Sequence, residues 1–135
     1  MLRALNSALH IYFLRRVRDV DSTSLQIHVD EVIIALQQFN ESMQKAGLHG
    51  PGTAWPAFMA GCEASLGFRR QYLLEWINGA FRKTGNRTYD KSKRIMLEVW
   101  RKRDELDFTG HHTKVASILS WVDVCREQGE WVIFC

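Results

Sequence analysis

The sequence has few of the residues that build disulfide frameworks or metal sites. It holds three cysteines in 135 residues, and Cys62, Cys125 and Cys135 show no paired spacing. An odd and scattered set is not a disulfide framework and fits a reducing compartment. No C-x-x-C or H-x-x-x-H pattern occurs, and the adjacent His111 and His112 are expected to point in different directions. The sequence therefore predicts no metal site and no bound cofactor in this chain.

Proline, long apolar runs and nucleotide-binding motifs are also scarce or missing. Both prolines lie between residues 50 and 64, and no Ser- or Gln-rich run occurs, so the composition argues against disorder. No apolar run reaches the roughly 18 residues that a membrane helix needs. The P-loop, the G-x-G-x-x-G fingerprint and the G-x-S-x-G elbow are absent as well. We therefore expect a chain that is not an enzyme and has no membrane span.

Apolar residues at helical spacing dominate what the sequence does contain. Steps of three and four predict six helices, over about residues 2–18, 25–45, 54–64, 68–81, 90–105 and 114–128. The last helix begins either near Lys114 or at Ser120, where Asp123 lies at the capping-box spacing. Residues 130–135 have no strand partner and are predicted to be a tail packed on the helices. The predicted class is all-α, with about six antiparallel-packed helices in a helical-hairpin array and no sheet.

The first predicted helix carries a continuous apolar stripe. Its members are Leu2, Leu5, Leu9, Tyr12, Phe13 and Val17. No Asp or Glu precedes Asp19, whereas four arginines do. We expect this stripe to be exposed in the present chain, because preceding helices of a longer protein would normally cover it.

The stretch GPGTAWPAFMAGCEA, residues 50–64, combines a turn with a helix start. Gly50-Pro51-Gly52 predicts the turn, and a helix should begin at Thr53 or Ala54 with Pro56 in its first turn. Trp55, Phe58, Met59 and Cys62 would share one face, and Glu63 would face elsewhere. A nucleophilic Cys62 would need a base and an orienting partner. Burial on an apolar face raises the pKa of a thiol, so we predict a buried packing residue and keep catalysis by Cys62 as the weaker alternative.

Positive charge is concentrated in one segment. The chain carries a net charge of +3, and residues 82–103 hold nine basic and two acidic residues. Either this is a solvated outer helix face, or it docks an acidic segment or a nucleic-acid backbone. The candidate basic docking face consists of Lys91, Arg94, Arg101 and Arg103.

The large aromatic residues suggest a second candidate site. The sequence has five Trp and seven Phe, and apolar sites between helices are common ligand sites. We expect an effector pocket, or simple core packing, where the helix that begins at Trp55 meets the next two helices. Its candidate residues are Trp55, Phe58, Trp76 and Trp100.

Five stretches, in order, resemble the C-terminal part of the fungal-specific transcription factor domain of zinc-cluster transcription factors. They are ALHIYFLRRVR at 8–18, VDEV at 29–32, GPGTAWPAFMAGCEA at 50–64, VWRKRD at 99–104 and SWVDV at 120–124. The W-P-x-F-x-A-G-C-E-A element is the most specific of them. The resemblance covers nearly the whole chain and implies that residues 1–135 are a single helical regulatory domain, a portion of a larger one.

The resemblance also implies a function. It predicts a nuclear protein that controls transcription through protein contacts or effector sensing, with the transcription machinery or co-regulators as partners and dimerisation left open. Three scattered cysteines cannot form the six-cysteine zinc cluster of such factors, so zinc and DNA binding are expected only in an N-terminal domain that this chain lacks. The alternative is a stand-alone helical adaptor that binds proteins and has no DNA-binding half.

Overall fold

The computed structural model describes residues 1–65, 67–108 and 120–132. These ranges contain six α-helices and one 3₁₀ turn, joined by short segments. They are α1 (Leu2–Arg16), the 3₁₀ turn (Thr23–Leu25), α2 (Gln26–Lys45), α3 (Trp55–Glu63), α4 (Phe68–Thr84), α5 (Arg87–Phe108) and α6 (Trp121–Gln128). No strand occurs in these three ranges, so the all-α class is confirmed. The His111-His112 pair, Lys114 and Cys135 lie outside the described residues.

Helix α3 lies at the centre of the molecule. It contacts α1, α2, α4 and α5, and every residue from Pro56 to Glu63 is buried. The helix follows Ala54 and has Pro56 in its first turn, as predicted. A helix that is apolar on all sides must be enclosed by others. Its small residues allow close approach, since a Cβ atom on Gly61 would lie 2.8 Å from the Met96 sulfur.

Helix α1 is apolar on two sides. Its inner side buries Ala4, Ala8 and Ile11 against the core. The predicted stripe lies on the other side, where Leu2, Leu9, Tyr12, Phe13 and Val17 are exposed. The expected exposure of this stripe is therefore confirmed, apart from Leu5, which is half-buried.

Helices α2 and α4 follow the predicted patterns closely. The spacing within residues 68–81 predicts one apolar face of Leu73, Trp76, Ile77 and Ala80, and this face of α4 is buried. In α2, Val29, Val32 and Leu36 are buried. Gly47 and Gly85 follow the two helices with φ of +64° and +65°, a left-handed conformation that glycine adopts without strain. Only residues 85 and 86 separate α4 from α5, so these two helices form a hairpin.

Helices α5 and α6 differ from the prediction at their ends. Helix α5 begins at Arg87, because Asn86 Oδ1 accepts a hydrogen bond from the Thr88 N–H at 2.9 Å and caps it. Ser120 is extended, and its N–H donates to Asp123 Oδ2 at 2.9 Å. The start at Ser120 is thus confirmed, and an uninterrupted helix from Lys114 is wrong. In the described part of the tail, Val132 packs on the core.

Candidate functional site

Three charged side chains meet in the interior at the end of α3. Glu63 is 2% exposed, Arg15 of α1 is 7% exposed and Arg103 of α5 is 5% exposed. The Arg15 Nε atom lies 3.3 Å from Glu63 Oε1, and Arg103 Nη2 lies 3.2 Å from Glu63 Oε2. One carboxylate therefore links the first and fifth helices through the central one. We call Arg15, Glu63 and Arg103 the buried triad.

The sequence places both arginines at positions that continue a buried face. In α1 the buried residues Ala4, Ala8, Ile11 and Arg15 follow steps of four, three and four. In α5 the same steps connect Ser92, Met96, Val99 and Arg103. This spacing was the signal that could have identified the two arginines as internal. The expectation that Arg103 lies on an exposed docking face is wrong, because this position faces α3.

Glu63 was missed for a different reason. It ends a helix of otherwise apolar residues, and the expectation that it points away from the packed face of α3 ignored that this helix is enclosed on all sides. Burial raises the pKa of the Glu63 carboxyl, whereas the Arg103 and Arg15 guanidinium groups act against this rise. Burial also lowers the pKa of Arg15, which Glu63 opposes. The two arginines thus compensate a carboxyl that water cannot reach.

The backbone at the end of α3 is held by the same kind of contact. The last carbonyl groups of a helix have no partner within the helix, and here the helix end is buried. The carbonyl oxygens of residues 61–64 each accept a hydrogen bond from a side chain of another helix. In order, the donors are Trp100 Nε1 (2.8 Å), Arg103 Nη1, Gln26 Nε2 (2.7 Å) and Arg70 Nε (3.2 Å).

The cluster around Glu63 therefore joins helices and offers no free reacting group. Gln26 also accepts a hydrogen bond from the Ser65 N–H at 2.9 Å. Arg70 forms two hydrogen bonds with Asp104 and lies over the Trp100 ring. Among the described residues, no buried side-chain nitrogen or oxygen atom lacks a hydrogen-bond partner. The G-C-E-A end of the motif therefore lies in a polar network in which each buried group has a partner.

The four candidate aromatic residues contact different parts of the molecule. Phe58 packs edge-on against Trp121, with ring centroids 5.4 Å apart, and Trp76 packs against Tyr89. Trp100 Nε1 donates a hydrogen bond to the Gly61 carbonyl oxygen of α3. Trp55 is half-buried and its ring lies 6.4 Å from that of Tyr12. These contacts give each ring a packing role, and effector binding by the four together stays a prediction.

The basic candidates that remain at the surface are paired with acids. Lys91 and Arg94 lie 3.7 and 3.6 Å from Glu130 Oε1. Arg101 pairs with Glu98 and Glu105 along α5, which raises its pKa. These acids reduce the positive field of the 82–103 segment, and docking on this face stays a prediction.

The Cys62 thiol is enclosed by the core. It is completely buried, and burial raises its pKa well above that of a free thiol. The predicted packing position is confirmed, since an inaccessible, protonated thiol is a poor nucleophile. Over the described residues, no group of three or more His, Cys, Asp or Glu side chains is arranged to hold a metal ion. None of the described helices combines the length and the apolar character needed to span a bilayer.

Comparison with known proteins gives a family and one named relative. A family model described as "Fungal specific transcription factor domain" matches residues 1–135. Over 98 residues, 73% of the chain, the sequence is 30% identical to "Arginine metabolism regulation protein II" of Saccharomyces cerevisiae. The match covers 11% of that protein, so the chain spans a small part of its relative's length. No solved structure matches the chain.

Proposed function

Because the chain belongs to the family of fungal specific transcription factor domains, as its motifs predicted, we propose that it regulates transcription in the nucleus through contacts with other proteins. The family is one of transcription factor domains and is not a known enzyme family, and we propose that the chain is not an enzyme. The proposed interface is the outer face of α1, which we define as Leu2, Leu9, Tyr12, Phe13 and Val17.

The exposure of this outer face is the observation that carries the proposal. Leu9 and Phe13 are 53% and 48% exposed, although they lie one turn apart on the same side of α1. A contiguous apolar strip of this kind marks a surface that another element covers. Preceding helices of a longer protein would do so, and the charge around the strip is what favours a separate partner. The strip is not needed for the fold, because Ala4, Ala8 and Ile11 already attach α1 to the core.

The charges around the outer face select the partner's chemistry. Residues 1–18 contain no acid, and Arg16 and Arg18 are exposed at the end of the strip. An amphipathic helix with an apolar side and acidic flanks would bury Leu9 and Phe13 and pair with these arginines. We therefore propose an acidic amphipathic helix of a co-regulator as the partner.

Tethering the chain to a heterologous DNA-binding domain tests this proposal. The wild-type fusion should change the output of a reporter gene, and Leu9→Asp with Phe13→Asp should abolish the change. Ile27→Asp is the matched control, because Ile27 is 66% exposed but lies on α2. Circular dichroism checks that each variant folds.

A photo-crosslinking residue at Phe13 should then capture a nuclear protein through an acidic segment, and the same residue at Ile27 should not. A wild-type fusion that leaves the reporter unchanged would contradict a role in transcription. If it still crosslinked a partner, the stand-alone adaptor would be the better description.

We further propose that this chain binds no cofactor and that DNA contact occurs through a zinc cluster outside these residues. The support is the cysteine count, since three scattered cysteines cannot supply six ligands. Elemental analysis of the purified chain should detect no stoichiometric zinc, and one equivalent or more would contradict this proposal.

A further inference from the structure

A cleft of about 370 Å³ opens between the C-terminal turns of α2 and α4 and the segment that follows α2. We propose that it binds a small organic carboxylate with an apolar or planar body. A volume of this size suits a small-molecule ligand. Its lining residues are Asn40, Met43, Gln44, Leu48, His49, Gly50, Pro51, Trp76, Gly79, Ala80 and Lys83. The proposal concerns a surface that the α1 interface does not use.

The ionisable groups of the cleft favour an anion. Among the described residues that line it, none is Asp or Glu, and the two ionisable ones, His49 and Lys83, are basic. Within the described ranges the Lys83 ammonium makes no ion pair, in contrast to Lys91, which pairs with Glu130. The helix dipole also favours an exposed lysine at the end of a helix, so Lys83 indicates a ligand only together with the rest of the cleft.

The rest of the lining fits an apolar body with one polar end. Met43, Leu48 and Pro51 supply apolar surface, and the aromatic Trp76 also lines the cleft. Asn40 and Gln44 lie one turn apart on α2, so their amides can donate to or accept from a second polar atom. A single lysine beside neutral amides suits a monocarboxylate better than a phosphate, for which forked arginines or helix N-termini are typical.

Gly79 provides an independent observation. Glycine in a helix interior is less favourable than alanine, so a packing reason is expected for it. Yet a Cβ atom there would meet no neighbour closer than Arg82 Nη2, at 3.9 Å, and the backbone needs no special conformation. No neighbouring group forces residue 79 to lack a side chain. Because Gly79 lines the cleft, a large side chain at this position would take up part of its volume. The glycine thus keeps open the volume in which we place the ligand.

Matched ligands in an NMR titration of the 135-residue chain test the proposal. The probes are 3-phenylpropanoate, its neutral amide and 3-phenylpropylamine, which share one body and differ in charge. The carboxylate should shift the Trp76 indole and the Gly79 and Lys83 amide resonances saturably. Lys83→Gln should weaken carboxylate binding at least about tenfold, as expected for loss of a charged hydrogen bond. It should not change the affinity for the neutral amide probe.

Gly79→Leu should abolish binding, whereas Gly79→Ala should fold and bind with reduced affinity. Lys93→Gln is the control for lost charge, since Lys93 lies on α5 and does not line the cleft. The proposal is overturned if the carboxylate causes no saturable shift, if the amine binds as tightly, or if Gly79→Leu binds like the wild type. The reporter assay tests the outer face of α1, which is a different surface. The proposed interface and the proposed ligand site can therefore fail independently.

Discussion

Arg101 and Arg103 show how strongly position decides what a residue contributes. Two residues apart on α5, one is exposed between Glu98 and Glu105, and the other is buried beside Glu63. Exposed ion pairs contribute little to stability because water and salt screen them. A buried charge whose partner is removed is costly, because no water replaces the partner.

Arg103→Met should therefore lower the free energy of unfolding by about 3–5 kcal/mol at neutral pH. The substitution removes one partner of Glu63 and the donor to the Cys62 carbonyl. Arg101→Met is the matched control and should leave the free energy of unfolding nearly unchanged, because water and salt screen its ion pairs. Urea unfolding measures both, and equal losses in the two variants would show that the buried triad does not carry the stability assigned to it.

The raised pKa of Glu63 gives stability a pH dependence of defined sign. The folded state holds the proton more strongly than the unfolded state, whose carboxyl titrates near the ordinary value of 4.5. The unfolded state therefore releases its proton first as the pH rises, and stability falls between this value and the raised pKa.

Unfolding of the wild type and Glu63→Gln between pH 4 and pH 9 measures this effect. The stability difference, wild type minus variant, should be largest below pH 4.5 and decrease as the pH rises. When both proteins also carry Arg103→Met, this stability difference should decrease more steeply with pH, because one charge that compensates Glu63 is gone. A difference that grows with pH would mean that the two arginines outweigh burial.

At the scale of elements, the end of α3 determines how the helices are connected. A short, buried helix leaves its last carbonyl groups where water cannot reach them, and other helices must supply the donors. From α2, the Gln26 side chain donates a hydrogen bond to the Glu63 carbonyl oxygen and accepts one from the Ser65 N–H. The contact spans 37 residues of sequence, so it fixes the position of α2 relative to α3.

Gln26→Leu should lower the free energy of unfolding by about 1–3 kcal/mol, because it leaves two polar backbone groups without their partner. Gln37→Leu on the same helix is the control, since Gln37 is exposed. Hydrogen exchange should show faster opening at the end of α3 in the first variant only. If the two variants were equally stable, water would be serving these backbone groups.

At the scale of the whole molecule, enclosure of α3 makes Cys62 a probe of global unfolding. Four helices pack around α3, and Cys62 is completely buried, so a reagent can reach the thiol only after the structure opens. The rate of modification at Cys62, followed by mass spectrometry of its peptide, should rise with urea with the slope of global unfolding.

An exposed reference thiol, Ser42→Cys on α2, should react rapidly at every urea concentration. Rapid reaction of Cys62 in the absence of urea would show that the thiol is accessible in the native state, and it would restore the hypothesis of a Cys62 nucleophile.

The sequence was sufficient where periodicity and turn chemistry decide the structure. Local steps of three and four predict the buried face of α4, and Gly47 predicts the end of α2 as its C-cap, because both effects act within a few neighbouring residues. It also predicted the family, through the ordered W-P-x-F-x-A-G-C-E-A element. The exposed stripe of α1 was visible for the same reason, as a second apolar side on one helix.

Only the tertiary structure decided which residues meet. Arg15, Glu63 and Arg103 come from three helices, and nothing local states that the two arginines share one carboxylate. The cleft beside Trp76 likewise depends on how α2 and α4 pack against each other. Periodicity specifies the buried side of a helix, but the partner of each buried charge is set by packing between helices that are distant in sequence.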